Sequence, residues 1–393
     1  MQFCENIHPN WIEKFKTFEQ VRKQLHAHPE LAFEEHLTAQ TVASQLKSFG
    51  YVVTQGVGGT GVVGQLKKGS GTACLGLRAD MDALPIQESN DFAWASQHPG
   101  RMHACGHDGH TATLLAAAKV IAEDLEFSGT LNLIFQPAEE GAGGALKMIE
   151  DGLFERFECD SIFALHNMPG IKAGHFSFKS GSAMASSDNV RVLITGKGGH
   201  GAMPHSAQDP IVAASAIVMA LQTIVSRNVD PMQCAVITVG SIHAGSANNV
   251  IAQTCELQLS VRALDPKVRS HLKARIMGLI EAQSQSFGVS AQVDWTDGYA
   301  VLVNSSSETQ FAKHLALEVF GSECVVSDPP ALTASEDFAF MLERVPGCYF
   351  LVGNGESGEH GSCMVHNPGY DFNDEIIVPG ATFWVKLVEA YLK

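Results

Sequence analysis

A chain of 393 residues is too long for one ordinary hydrophobic core, so two domains are expected. Hydrophobic residues at 45% and charged residues at 17% exclude a disordered chain, leaving ample material for a sizeable core. The formal charge of −16, from 26 Lys+Arg against 42 Asp+Glu, speaks against nucleic acid, whose phosphates demand clustered cations.

The opening MQFCENIHPNWIEKFKTFEQ lacks the basic start and apolar stretch of a secretory leader. No apolar run reaches the roughly 18 residues expected of a membrane span. Nine cysteines, odd in number and scattered, suit a reduced cytoplasmic protein better than a disulfide scaffold.

Helical periodicity runs through the first forty-odd residues, with Trp11, Ile12, Phe15, Phe18, Val21 and Leu25 on one face. The glycines of GVGGTGVVG, residues 56–64, read as a tight turn beside a strand. They lack the Lys-Ser/Thr and the strand-to-helix context of a nucleotide loop. Segments 72–77, 131–135 and 161–165 then read as strands, and 110–125 and 144–149 as helices. That alternation predicts βαβ units and a largely parallel, buried sheet.

Near Ser186 the pattern changes. A strand at 189–195, a helix at 210–226, strands at 234–241 and 254–263, a helix at 266–287 and a strand at 289–295 follow in turn. The order βαββαβ is that of a ferredoxin-like module. After about Asn304 the α/β pattern resumes, with a strand at 349–352 and a closing helix at 382–392. The expected architecture is a discontinuous α/β domain, 1–185 and 298–393, interrupted by a small α+β domain at 186–297.

Chemistry concentrates in RMHACGHDGH, residues 101–110, where three His, one Cys and one Asp precede a helix. A soft thiolate beside an imidazole is zinc-type ligation, and close spacing makes a chelating corner. This makes Cys105 and His107 candidate ligands. FQPAEEG places adjacent carboxylates, Glu139 and Glu140, after a strand, in the crevice where open α/β sheets hold ligands. Consecutive residues there point apart, so one can bind metal while the other faces substrate. His166 of FALHN follows a predicted strand, and His366 of VHNPGYDF lies in a Gly-rich stretch before the last helix. Singly, these histidines and the Glu pair read as ordinary turn or structural residues. Convergence on one sheet edge is what makes a site, and five such ligands suit a pair of divalent ions.

LHAHPELAFEE, LRADMDALP, MHACGHDGH, FQPAEEG, GGHGAMPH and HNPGYDFND occur in order across nearly the whole chain. Together they resemble the dinuclear metal amidohydrolases related to hippurate hydrolase, N-acyl-amino-acid amidohydrolase and the plant auxin-conjugate hydrolases, a branch of the aminoacylase–carboxypeptidase superfamily. The resemblance implies a zinc-peptidase-like catalytic domain with an inserted dimerisation or lid domain. It implies Cys105, His107, Glu140, His166 and His366 as ligands, with Cys105 bridging and Glu139 as general base. The cofactors are then two divalent ions per subunit, zinc first, with manganese, nickel or cobalt as alternatives. Related branches have a His-x-Asp motif where this chain reads Arg78-Ala79-Asp80, which leaves the roles of Asp80 and Asp108 open, orientation of a metal ligand among them.

In the insertion, His200 sits among glycines. The wider family's matching His stabilises the oxyanion, often from the partner of a homodimer. Arg262 of QLSVRAL is the candidate clamp for a substrate carboxylate, and Asn248 of ANNVIA its companion; Ala252 stands where the familiar pattern has Pro. His26 and His28 read as structural, and Ser335-Glu336-Asp337-Phe338 has no role assignable from sequence. The expected function is hydrolysis of N-acyl amino acids in the cytoplasm, without nucleic acid or membrane. The rivals are an aminopeptidase or carboxypeptidase acting on small peptides, and a metal-binding protein on a dead scaffold.

Overall fold

The computed structural model describes residues 7–393; Cys4 and the first residues on which the leader was judged lie outside them. The chain separates into two compact units. One comprises Met1–Gly181, Val303–Pro330 and Asp337–Lys393, and the other Ser182–Leu302 with Ala331–Glu336.

The amino-terminal helical pattern is broken into α1 (Pro9–Lys16), α2 (Phe18–Ala27) and α3 (His36–Ser48). Pro29 follows His28 and disfavours helical backbone there, so α2 stops. Strands β1 (Val52–Val57) and β2 (Gly61–Lys68) form an antiparallel hairpin. The irregularity in β1 at Gly56 and the turn at Gly58 and Gly59 require left-handed backbone, with φ of 81°, 66° and 109°, which explains that glycine run. Next come β3 (Cys74–Asp80), α4 (His107–Asp124), β4 (Gly129–Gln136), α5 (Gly144–Glu150), β5 (Ser161–Pro169) and the short β6 (Phe176–Ser177).

The second unit contains β7 (Asp188–Thr195), α6 (Pro210–Asn228), β8 (Ala235–Ala244), β9 (Thr254–Ala263), α7 (Pro266–Ser286) and β10 (Ser290–Thr296). The first unit is completed by α8 (Ser306–Phe320), β11 (Val325–Val326), α9 (Phe338–Leu342), β12 (Gly347–Gly355) and α10 (Ile377–Tyr391).

The large sheet has the order β1-β2-β4-β3-β5-β12-β6-β11. Its centre, β4-β3-β5-β12, is parallel, but β1 is antiparallel to β2, β2 to β4 and β6 to β12, while β11 runs parallel to β6. The sheet is therefore mixed rather than largely parallel. The hairpin and the two-residue strands carry too little apolar pattern to announce themselves. Strands β3, β4 and β5 are buried almost throughout, as interior strands covered on both faces must be. Helix α4 buries nearly all of its length against the sheet and α10; its alanines at 112, 116, 117 and 118 permit that close approach. From β3 the chain steps to β4 on one side and then to β5 on the other. The carboxyl ends of β3 and β5 thus flank a topological switch point, where such sheets leave a crevice.

The second unit has the order β8-β9-β7-β10, all antiparallel, with α6 and α7 on one face. The alternating burial along β7 and β9 fits a sheet covered on one side. Both helices begin with proline in the first turn behind an aspartate cap. Asp209 accepts from Ile211 N at 2.9 Å, and Asp265 from Lys267 N at 2.7 Å. By length and composition α6 is apolar enough to cross a membrane, a span not expected from the sequence. It buries Ala213, Ala214, Ile217, Leu221 and Ile224 in the core of this unit.

Candidate metal centre

At the carboxyl edge of the large sheet, Cys105 and His107 stand at the start of α4. Glu139 and Glu140 follow β4, and His366 comes from the segment before α10. His166 lies within β5, not after it, and pairs with Leu351 of β12.

Two donor triads share one member: Cys105 groups with His107 and His166, and Cys105 also groups with Glu140 and His366. In each triad the donor atoms lie within 4.8 Å of one another. His107 belongs to a further group of the same tightness with Glu139 and Glu140. Cys105 thus occupies the joint between two potential cation positions.

The backbone around these residues is unusually constrained. Gly106, at φ 91°, caps α4, and a side chain there would meet Asn167 Nδ2 at 2.3 Å and Tyr370 Oη at 2.5 Å. Asn167 donates to Cys105 O at 2.6 Å, and Tyr370 Oη donates to Asn167 Oδ1 at 2.8 Å, which holds the thiol-bearing loop in place. His366 adopts φ 63°, with its N–H donating to Ala104 O at 2.7 Å. Ala138, immediately before the paired carboxylates, adopts φ 53°, a left-handed conformation costing roughly 1–2 kcal/mol for a residue with a Cβ.

Orientation of the imidazoles identifies donors and supports. His107 Nδ1 donates to Asp82 Oδ1 at 3.2 Å, while its Nε2 is buried without a hydrogen-bond partner and faces the cluster. An imidazole held by a carboxylate on one nitrogen and bare on the other is prepared for a cation. His166 Nδ1 donates to Asn167 O at 2.5 Å, leaving Nε2 3.4 Å from the Cys105 sulfur. His110 is different. Its Nδ1 donates to Asp80 Oδ1 at 2.6 Å and its Nε2 accepts from Asn167 N at 2.9 Å, so it supports rather than ligates.

Asp82 was missed in the sequence. Besides His107 it accepts from Glu139 N at 3.0 Å and Glu140 N at 2.9 Å. The alternation of Asp80 and Asp82 at the end of β3 was the available signal, since residues two apart share a face. Asp80 accepts from Arg78 Nη1 at 2.7 Å, and that wholly buried guanidinium also reaches Gln136 and Asp337. Asp337 accepts from Gln136 Nε2 at 2.7 Å and Ala145 N at 2.8 Å, so the unassigned SEDF motif contributes a brace under the acidic turn.

The electrostatics describe a pocket of acid that asks for a cation. Burial pushes the Cys105 thiol well above its ordinary range, and Glu140, Glu139 and Asp80 push it further. Burial pulls His107 down, but Asp80, Asp82 and Glu140 outweigh it and lift it to about 10. Burial also works against a charged Asp80, yet His107, Arg78 and His110 hold its carboxyl well below the usual range. Divalent ions would reverse this order by favouring thiolate and neutral imidazole. The donors present fit such ions.

Behind the cluster, the buried His26 donates from Nδ1 to Asp108 Oδ2 at 2.8 Å and contacts Glu88 at 3.2 Å, with Arg22 3.8 Å from Asp108. Burial lowers His26, but Asp108 and Glu88 overcome it and raise it to about 9. A raised histidine stabilises the fold fully below its unfolded value, near 6.5, and that contribution is lost as pH rises through about 9. His26→Gln is therefore expected to cost on the order of 3 kcal/mol at pH 6 in denaturant unfolding. The gap to the native chain should close between pH 6.5 and 9; a gap independent of pH would show that His26 is not charged in the fold.

His200, Asn248 and Arg262 all belong to the second unit. His200 is exposed, in a two-residue ladder with Val250–Ile251, and its Nδ1 accepts from Ala202 N at 3.0 Å. Asn248 is exposed in the turn before that ladder. Arg262 donates to Thr333 O at 3.1 Å and Ser335 Oγ at 3.4 Å, both in the Ala331–Glu336 segment of the same unit.

Residues 76–390 match the sequence pattern of Peptidase family M20/M25/M40. The chain is 44% identical to the hippurate hydrolase of Campylobacter jejuni over 99% of this chain and 100% of that one. It is 40% identical to the N-acetyl-L-cysteine deacetylase of Bacillus subtilis, over 92% and 85%. Among solved structures it resembles the Bacillus subtilis YXEP protein, a dinuclear metal binding peptidase from the M20 family. There the TM-score is 0.85 at 29% identity, covering 97% of this chain and 99% of the other.

Proposed function

The chain belongs to Peptidase family M20/M25/M40, and on that footing we propose that it hydrolyses the amide bond of N-acyl amino acids, hippurate-like or N-acetyl. The observation that carries this reading is the pair of donor triads joined at Cys105 with Glu139 beside them. Cys105, His107, Glu140, His166 and His366 would hold two divalent ions. When bound, such ions polarise a scissile carbonyl and acidify a water. Zinc suits the thiolate, imidazole and carboxylate set, with manganese, nickel or cobalt as competitors.

Glu139 takes the proton of the attacking water and passes it to the departing amine. Its backbone is held by Asp82, so its carboxylate swings from a fixed base. Asp82 also fixes the tautomer of His107, and Asn167 the loop of Cys105. His200 is assigned to the oxyanion, and Arg262 with Asn248 to the free carboxylate of the substrate. The second unit is assigned to dimerisation and to covering the site, in a cytoplasmic homodimer or a dimer-based oligomer.

Elemental analysis of the purified protein, combined with a short substrate panel, tests the reading. Two ions per chain are expected. Turnover of N-benzoyl and N-acetyl amino acids should exceed that of dipeptides with free amines. Preference for the dipeptides would make the protein a peptidase, and no amide turnover by the fully loaded protein would make it a metal-binding scaffold.

A further inference from the structure

We propose that Glu35 is a positioning residue that sets which way Glu139 and Glu140 face. Glu35 is wholly buried just before α3, remote in sequence from the acidic turn. Its Oε1 accepts from Ala138 N at 2.8 Å, and its Oε2 accepts from Thr60 Oγ1, in the turn between β1 and β2.

Three successive amides, at 138, 139 and 140, are thereby engaged by two buried carboxylates: Glu35 takes the first, and Asp82 the second and third. With the three amides engaged from one side, the turn fixes the direction in which each glutamate side chain leaves the backbone. On the other side of the same residue, Ala138 O accepts from Gly144 N at 3.0 Å. Ala138 is the one position in this turn with left-handed backbone and a Cβ, a conformation that persists only when its surroundings over-determine it. Rotation there would exchange the directions of the two residues that follow.

Asp82 is tied to His107 as well, so its loss would confound ligand and turn. Glu35 bonds the turn through the Ala138 amide rather than through a candidate metal donor. It has no place in any of the donor groups, whereas its partner Thr60 connects it to the β1–β2 hairpin. A buried carboxyl oxygen that accepts the Ala138 N–H satisfies an amide of a strained peptide, and leaving that amide unpaired costs about 1–3 kcal/mol.

The inference rests on the roles proposed for Glu139 and Glu140, and the test separates the two. Glu35→Ala, Glu35→Gln and Thr60→Val are compared with the native protein for kcat, KM and metal retained after dialysis against buffer. Glu35→Ala is expected to lower kcat roughly 10–100-fold with KM changed by less than about threefold, and to retain closer to one ion than two. Glu35→Gln keeps an oxygen for Ala138 N and is expected to restore kcat to within about threefold and both ions. If Glu35→Ala keeps native kcat and both ions, or if Glu35→Gln is as impaired as alanine, the inference is overturned.

Should Glu35→Ala fail to fold, Thr60→Val removes only the hydroxyl donor. A kcat loss of about threefold or more then supports the inference, and native kcat overturns it. Glu139→Ala and Glu140→Ala run alongside. If neither impairs turnover nor metal retention, the assigned function falls and this inference with it. If both behave as assigned while Glu35→Ala is native, only the Glu35 inference falls.

Discussion

Replacing Glu139 by alanine is expected to lower kcat on an N-acyl amino acid by on the order of 10²–10⁴-fold while both metal ions remain bound. The size is that of a positioned acid/base group. The retention of metal follows from the division of labour within the pair. Glu140 shares a donor triad with Cys105 and His366, its Oε1 lying 3.1 Å from His366 Nε2. Glu139 is buried beside them, its backbone fixed by Asp82. Steady-state kinetics and elemental analysis on the same preparation check the prediction. Loss of metal in step with activity would mean that the two glutamates have been assigned the wrong way round.

Cys105→Ala should have the larger structural consequence for the centre, because one atom serves both triads. Removing it takes a donor from each cation position at once and leaves only neutral imidazoles and one carboxylate to balance the charge. We expect both ions to be lost on dialysis and activity to fall by more than the roughly 10–100-fold typical of outer supports such as Asp82. The fold should persist, since the alanine still fits a loop fixed through its backbone by Asn167. Circular dichroism and metal content on one sample distinguish this from unfolding. Retention of one tightly bound ion would show that Cys105 serves a single position.

The cluster of candidate donors was legible in sequence because part of it is local. Cys105 and His107 are two residues apart at the start of a helix, and a thiolate beside an imidazole is rare enough to stand out. The ferredoxin-like order of the second unit was legible for a similar reason: its strands and proline-led helices each carry their own periodicity and caps. Glu35 and Asp337 could not be read. Glu35 bonds a backbone amide 103 positions away, and Asp337 a guanidinium 259 positions away. Neither partner leaves a local pattern, because a buried carboxylate and a solvated one look alike in a string of letters. The antiparallel flank of the large sheet escaped in the same way, its hairpin turn being written in glycine.

Burial and acidic neighbours, which push the Cys105 thiol upward, would tie loading of the proposed metal centre to acidity. Each ion proposed to settle against it would have to displace a proton from a thiol that burial, and then its anionic neighbours, hold in place, so loading would be an exchange of one cation for another. Acid buffers would supply the competitor in excess and lower the metal content of the proposed centre, and mildly alkaline ones would raise it. Metal content measured after dialysis at a series of pH values is therefore expected to rise with pH.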